Sequence, residues 1–445
     1  MNDDVPDAPD GREGPGRGPR GRDRGHPARV AALRSLIASE RGRHIEDALA
    51  REVPERVADR GMAWHLALGV LRRRASIDAA LRPALSQPLS AIEPEVRAVL
   101  RMGAFELLHA GTPPHAAVHE AVEAGRGIGV GRASSLINAV LRRVDGSAPR
   151  TPAEAVDLPG WLWDRWTARY GESAARAWAT AMAAPPPLVI VARSDDDAEK
   201  IATRYPEAGI ALRPARAMGA VVPRAFELLG READDGELDA IGRIEALPGY
   251  RSGAFWVQDA ASASMADLVP RGAVSVLDAC AAPGGKSLRM ASAGHTVLPV
   301  DAEADRLERL TGSAKRVGFA LEPRVHDWTQ GPMPRIGRFD AVLVDAPCTG
   351  LGTARRHPEI KWARSPLDPG AAALKQRVIL AATAQHVAPG GCLIHVVCSA
   401  EPEEGSGVVS DFLSRHPEFR LDEERCSAPP TDGEDGFYGA RMVRA

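Results

Sequence analysis

Two cysteines stand where apolar runs stop. In VLVDAPCTGLG, residues 342–352, Cys348 follows Asp345 by three positions at the close of one run, and in CLIHVVCSAEPEEG, residues 392–405, Cys398 closes another. A lone cysteine at a strand end is ordinarily a small buried hydrophobe. Two of them, ending strands whose order in the chain makes them neighbours, stand about 4.8 Å apart per strand step. The loop end of a parallel sheet is polar and partly exposed, which suits a thiol of pKa about 8.5 that must ionise to attack. A thiolate can split one hard step into two easier ones through a covalent intermediate. Asp345 lies beside both thiols, available to hydrogen-bond a substrate ring, and Pro347 stiffens the turn that aims Cys348.

A third constellation sits upstream in SVLDACAAPGGKS, residues 275–287. A glycine-rich turn from a strand into a helix presents backbone N–H groups to a ligand of carboxylate or phosphate character. Two ligands compete for it. A Walker A loop needs GxxxxGK[ST]; Gly285-Lys286-Ser287 supplies its end, but Cys280 stands where the first glycine belongs. A nucleoside site instead needs the next strand to end in an acid that binds ribose hydroxyls, and Asp301 in PVDAE does so. Pro299, awkward in a paired strand, is placed at a frayed strand end. Asp327 in VHDW is a third strand-end acid, placed to meet an adenine amino group.

One reaction unites two thiols, an aspartate and a nucleoside cofactor. Carbon 5 of cytosine is too poor a nucleophile to take a methyl group directly, but a thiolate adding to carbon 6 makes the ring enamine-like. Asp345 would hold the ring near N3 and the exocyclic amine. After methylation a second thiolate can assist loss of the carbon 5 proton and release of the enzyme. The residues alone leave open which cysteine attaches and which detaches.

The elements that must position these groups follow from composition and periodicity. The 445 residues suffice for about three domains at roughly 150 residues each. Hydrophobic residues at 44% and charged residues at 26% describe an ordinary globular protein. No apolar run approaches the roughly 20 residues that span a bilayer, and the N-terminus is too polar for a secretory signal. Five cysteines without a CxxC pair argue against a disulfide framework or a structural zinc site, and predict reduced thiols in a cytoplasm with no metal centre. A net charge of −3 and a pI near 6.5 are unlike a dedicated nucleic-acid binder, so any polyanion site is a local patch.

Residues 1–27 are rich in Gly, Pro and Arg, cannot bury a core, and read as a disordered tail. Residues 28–146 read as an all-helical bundle. In VRAVLRMGAFELLHA the positions Val96, Val99, Leu100, Gly103, Ala104, Leu107 and Leu108 share one helix face, with Gly103 and Ala104 admitting a close neighbour. Residues 147–255 read as a small α+β linker domain. From 256 to 445, short Val/Leu-rich runs alternate with helical stretches, which predicts a doubly wound, mostly parallel sheet binding its ligand at the strands' carboxyl ends.

VLDACAAPGGKS, FDAVLVDAPCTGLGTARRHPEIKW, VVCSAEPEEG and the terminal DGFYGARM resemble the Sun/RsmB-type RNA cytosine-5 methyltransferases. LRMGAFELLHAGTPPHAAVHEAVE with LINAVLRRV resembles the NusB-like helical domain fused to the bacterial members. The resemblance spans about residues 28–146 and 250–445, is weaker between, and outweighs the Walker A reading.

It implies a Rossmann-like methyltransferase domain, S-adenosyl-L-methionine as donor and a cytosine of 16S ribosomal RNA as target. The partners it implies are ribosomal RNA or small-subunit assembly intermediates; the same chemistry on tRNA or another RNA is the alternative. Position by position, Cys280, Ala281, Ala282, Pro283, Gly284, Gly285 and Lys286 would cradle the methionine and ribose end, Asp301 would take the ribose and Asp327 the adenine side, with Asp345 between cofactor and base. Cys398 would be the nucleophile and Cys348 would assist release; DNA cytosine-5 methyltransferases attack with the Pro-Cys thiol, which makes swapped roles the runner-up. A cytoplasmic monomer without membrane contact is expected. The chain departs from the family pattern at Val397 (usually Thr), Gly405 (commonly Asn) and Asp195 (usually Asn). Arg355, Arg356, His357, Lys361 and Trp362 combine cations with a stacking ring close to Cys348 and are expected to touch RNA. Arg72, Arg73, Arg74, Arg142 and Arg143 either add cations or cap helix C-termini. A non-enzymatic RNA-binding assembly factor is the rival outside catalysis.

Overall fold

The computed structural model describes residues 26–52, 57–232, 238–239, 241–427 and 433–445. The expected tail therefore lies outside the described residues, except that His26 and Pro27 open the first helix. The described residues form two compact units, one from those up to Val70 together with Ile77–Ala148, the other from Leu71–Ser76 and those of Pro149–Ala445.

The first unit is helical, built on α1 (His26–Glu40), α2 (Ile45–Glu52), most of α3 (Val57–Arg72) and α4 (Arg74–Leu81), α5 (Pro94–Leu108), α6 (Pro114–Gly127) and α7 (Ser134–Leu141). Helix α5 is buried on more than the single face its apolar period marks, because Arg101 and Glu106 are buried too. Each is paired: Arg29 donates to Glu106 at 2.6 Å, and Arg101 donates to Asp78 at 2.7 Å and to Glu40 at 2.6 Å. Pairing removes most of the penalty of burying a charge. At Gly103 an added Cβ would lie 2.5 Å from Leu141 and 3.1 Å from Ala121, so the close approach expected there is made by α6 and α7.

The second unit opens with α8 (Pro152–Ala155), α9 (Gly160–Tyr170) and α10 (Glu172–Met182), where Trp166 and Trp178 stack with centroids 4.1 Å apart. An antiparallel sheet follows, of β1 (Leu188–Ala192), β2 (Ile210–Ala217), β3 (Ala220–Glu232), β4 (Leu238–Asp239) and β5 (Phe255–Val257), in the order β2-β3-β1-β5 with β4 beside β3. Helix α11 (Asp195–Glu207) lies against it, capped by the Ser194 hydroxyl.

The remaining strands are β6 (Ser275–Asp278), β7 (Thr296–Asp301), β8 (Arg324–Val325), β9 (Phe339–Asp345), β10 (Val387–Val397), β11 (Phe419–Cys426) and β12 (Tyr438–Arg444). Among the described residues they form a seven-stranded sheet in the order β11-β12-β10-β9-β6-β7-β8, parallel from β10 to β8 and antiparallel at β12 and β11. Successive side chains face opposite sides, and both sides are covered: Leu343 and Ile394 join one apolar cluster, Val342, Val344 and Leu393 the other. That is why these strands read as near-continuous apolar runs.

Helices α12 (Ala260–Ala266), α13 (Gly285–Ser292) and α14 (Ala304–Val317) precede the short α15 (Ile360–Ala363); α16 (Asp368–Ala384) packs on β9 and β10, and α17 (Ser406–Arg415) on β11 and β12. Because β6 pairs with β7 on one side and β9 on the other, the winding reverses there, and the carboxyl ends of β6 and β9 are where sheets of this kind bind their ligands.

Pro299 is not at a frayed end. It sits inside β7, level with Asp278 of β6. The carbonyl of Val300 accepts from Ala281 on the β6 side and that of Asp301 from His326 on the β8 side. By alternation Pro299 faces β8, where pairing starts only at Val300, so its missing N–H costs no ladder bond.

Candidate active site

Strands β9 and β10 run parallel with Asp345 level with Val396. Cys348 lies three residues past that level and Cys398 two, so both loops leave the same edge of the sheet. Their sulfurs are 3.2 Å apart. Both thiols are half-buried. Cys348 is held well above the usual thiol range, first by its contact with Cys398 and then by burial. Gly352 braces the pair by donating to the Cys398 carbonyl at 3.1 Å and accepting from the Gly436 N–H at 2.9 Å.

Lys286, one residue into α13, places its ammonium 2.6 Å from Asp345 Oδ2. Burial alone would lower its pKa; Asp345 overrides that, with Cys398 and Asp278 adding to the effect, and the pKa is raised. The residues joined here end three different strands: Asp278 (β6), Asp345 (β9) and Cys398 (β10).

The turn from β6 into the first two residues of α13 holds the seven residues expected to cradle a ligand. Gly284 has φ +112°, a left-handed conformation open to glycine, and an added Cβ would lie 2.7 Å from Leu310. Asp301 is buried and holds the turn, accepting from the Ala282 N–H at 3.0 Å and the Glu303 N–H at 3.0 Å. Arg306 donates to the Ala282 carbonyl at 2.8 Å. Burial first, then Asp301 and Asp345, push the Cys280 thiol up. Asp327 is exposed and caps a 3₁₀ turn, accepting from the Thr329 N–H at 2.9 Å.

Asp278 was passed over in the sequence. It is fully buried; its Oδ2 accepts from the Ser287 hydroxyl at 2.6 Å, while its Oδ1 has no hydrogen-bond partner. Burial raises it to about 7 against the Ser287 bond, and Asp345 adds to the rise. Also missed was Glu404, buried behind the thiols, and Glu401, which is gripped by Arg165 and Arg169 and by the Trp166 indole at 3.1 Å. The signal for both was present in the sequence as three acids packed into seven residues after Cys398, at a place where a solvated loop would not need an apolar strand before it.

The basic run after Cys348 turns out to be structural. Lys361 is fully buried, donating to the carbonyls of Asp157 at 2.7 Å and Arg72 at 3.2 Å, and burial lowers its pKa to about 8. Arg356 bridges Asp435 at 2.6 Å and Asp259 at 2.8 Å. Arg355 donates to the carbonyls of Ala184, Pro185 and Gly433, and the Trp362 indole to Leu71 at 2.7 Å with Arg74 over its ring. Lys361, Arg356 and Trp362 of the expected RNA-facing patch are therefore internal ties to buried partners, while Arg355 bonds the carbonyls of the exposed Ala184 and Pro185. Arg72 is buried, and Arg73 pairs with Asp157 at 3.4 Å. Arg142 and Arg143 are exposed and bond within their own helix end, at Asn138 and the Ala139 carbonyl.

The three departures have physical readings. A Cβ at Gly405 would carry a side chain to within 2.9 Å of the Tyr438 ring. Val397 is buried in an apolar cluster, where a hydroxyl would need a partner. Asp195 is exposed at the start of α11, 3.7 Å from Arg224.

His395, on β10 beneath the thiols, donates through Nε2 to the Glu404 carbonyl at 2.8 Å. Burial holds its pKa down at about 4 from an ordinary 6.5. An unfolded chain takes up that proton near pH 6.5 while the folded chain refuses it until about 4, so stability is lost as pH falls through this window. The loss reaches about 3 kcal/mol. His395→Gln keeps a donor and removes the titration. Denaturant midpoints of the two proteins are expected to converge by about that amount between pH 7 and pH 4; parallel curves would refute it.

Comparison with known proteins bears on this arrangement. Residues 265–442 match the family described as 16S rRNA methyltransferase RsmB/F, and residues 26–145 match the NusB family. Ribosomal RNA small subunit methyltransferase B of Thermus thermophilus is 35% identical over 93% of this chain and 96% of its own length. The chain belongs to the ribosomal RNA small subunit methyltransferase B family. The Cronobacter sakazakii member is 31% identical over 93% of this chain and 98% of its own. Among solved structures, PH0851 shares the fold with a TM-score of 0.74 at 21% identity, covering 94% of this chain and 98% of its own. NSun6 from Pyrococcus horikoshii has a TM-score of 0.52 at 18% identity, covering 64% and 98%. Membership brings the helical unit under the NusB description and the parallel sheet under the methyltransferase one. It also displaces the P-loop reading, which rested on Gly285-Lys286-Ser287 and on VLVDAP as a Walker B-like strand.

Proposed function

We propose that this member methylates carbon 5 of a cytosine in 16S ribosomal RNA through a transient bond to Cys398. The observation that carries the reading is the 3.2 Å approach of two thiols beside the Lys286–Asp345 pair. The names of full-length relatives at 31–35% identity support ribosomal RNA as substrate.

The methyl donor is S-adenosyl-L-methionine, and the turn has the character it needs. The buried Oδ1 of Asp278 lacks a donor, and Gly284 lets main chain pass Leu310 where a side chain would block it. Cys280 to Lys286 would hold the methionine and ribose end, with Asp301 shaping the turn and Asp327 at the adenine side. Bound there, the donor supplies an electrophilic methyl group.

The protein's own groups do the rest. The Cys398 thiolate bonds to carbon 6 of the ring, and the carbon 5–carbon 6 pair becomes available at carbon 5. Asp345 accepts from the exocyclic amine, and the Lys286 ammonium offsets charge building on the ring. Once carbon 5 carries the methyl group, its proton leaves, the double bond re-forms and the carbon 6–sulfur bond breaks to return the Cys398 thiolate. Cys348, in contact with that sulfur, first yields its own proton to solvent and then, as a thiolate, accepts the proton that leaves carbon 5. The choice of Cys398 as the attacking thiol rests on the family resemblance carried by VVCSAEPEEG. The target base must leave its stack to reach the site.

Small-subunit ribosomal RNA transcribed with 5-fluorocytosine tests the reading, because fluorine at carbon 5 cannot leave as the proton does. A stable covalent complex, mapped to Cys398 and to one cytosine, is expected. Methyl transfer without any trapped complex would refute the covalent route, and trapping on tRNA alone would move the substrate.

A further inference from the structure

One buried carboxylate joins the two thiol loops. Glu404 is fully buried and accepts from the Thr349 N–H at 2.6 Å through Oε1, and through Oε2 from the Thr349 hydroxyl at 2.5 Å and from the Ser399 hydroxyl. Thr349 is the residue after Cys348, and Ser399 the residue after Cys398. The two hydroxyls also lie 3.3 Å from each other. These partners are neutral donors, not a cation, although a buried charge is ordinarily paired because isolating it is costly. Stability by itself does not call for an acid here. Burial, the leading influence, raises the Glu404 pKa against the bonds from Ser399 and Thr349.

The clamp is itself anchored. The Glu404 carbonyl takes the Nε2 proton of His395 at 2.8 Å, and Gln376 donates to the Pro347 carbonyl at 3.1 Å while its Nε2 lies 3.5 Å from Glu404 Oε1. Arg364 holds the Thr349 carbonyl at 2.9 Å. The loops leave separate strands and would otherwise set their positions independently. A carboxylate accepts at both oxygens; an amide accepts at one, so in its place either the Thr349 N–H or the two hydroxyls would face an N–H donor.

We propose that Glu404 is a positioning residue that sets the separation of the Cys348 and Cys398 sulfurs, and with it the balance between attack and release. The proposal rests on the two-thiol reading above.

Glu404→Gln tests it by two routes. The first does not depend on catalysis. Hydrogen peroxide takes two electrons and two protons from the thiols, joining the sulfurs and leaving two waters, at a rate set by their separation. Mass spectrometry of the Cys348–Cys398 disulfide is expected to show about tenfold slower closure in the variant, the scale of one lost hydrogen bond to a charged group. S-adenosylhomocysteine binding should stay within about twofold, since its site lies on other strands. The second route uses RNA. The share of protein held as covalent complex at steady state should rise several-fold, because Cys398 still attacks while Cys348 is displaced. Thr349→Val should reproduce both effects and Thr349→Ser should reverse them, which decides the matter if Glu404→Gln fails to fold. Wild-type closure rates in Glu404→Gln and Thr349→Val would overturn the proposal. A wild-type protein that methylates without forming a complex would sink the two-thiol reading and leave the closure comparison standing.

Discussion

Cys398→Ala is expected to abolish methyl transfer, by at least about 10⁴-fold, and to leave no covalent protein–RNA species. Carbon 5 is not nucleophilic without an adduct at carbon 6, so binding and orientation by Lys286 and Asp345 cannot compensate. Cys348→Ala should behave differently. Its sulfur lies 3.2 Å from that of Cys398, within reach of the adduct but assigned to release, so attack survives its loss while release does not. The complex should then accumulate and be visible on a denaturing gel with unmodified RNA. The contrast between the variants is the informative quantity. If Cys348→Ala gives no complex and Cys398→Ala traps one, the roles are exchanged, as in the DNA enzymes.

Gly352→Ala is expected to cost at least about 3 kcal/mol and to remove activity with it. An added Cβ would stand 1.8 Å from the Gly436 carbonyl oxygen and 2.6 Å from its carbon, and both are main chain that cannot rotate away. Gly352 also donates to the Cys398 carbonyl and accepts from Gly436. The clash therefore pushes apart the Cys348 loop, the Cys398 loop and the segment leading into β12. Urea unfolding measures the loss. Gly370→Ala is the control, since a methyl there meets nothing within 4 Å, and it should leave stability unchanged or slightly higher. Equal behaviour of the two variants would show that the approach at Gly352 relaxes freely.

Both expectations depend on where loops end up, and that was legible only in part. The strands could be read because each is covered on both faces, so VLVD and CLIHVV appear as unbroken apolar runs. Their order along the chain was enough to predict that Cys348 and Cys398 come together, since a parallel sheet carries function at one edge. The assignment of Cys398 as nucleophile came from the family resemblance and not from the residues.

The basic run from Arg355 to Trp362 was misread for a definite reason. Its acceptors are remote in the chain: Asp435 lies 79 residues from Arg356, Asp157 lies 204 from Lys361, and Arg72 lies 289 from Lys361. No local pattern separates a cation that meets a phosphate from one that meets a buried carbonyl, because both need the same exposed-looking sequence. Glu404 was overlooked on similar grounds: its spacing from Cys398 was plain, but that its carboxylate faces inward, onto Thr349 and Ser399, follows from the 398–405 turn. The apolar periodicity and the strand-end polar residues were thus determined by sequence alone, since burial of a repeating face is a local property. Which polar groups face substrate and which hold the protein together was decided by tertiary structure, because a charge is neutralised by whatever the fold places within about 3 Å of it.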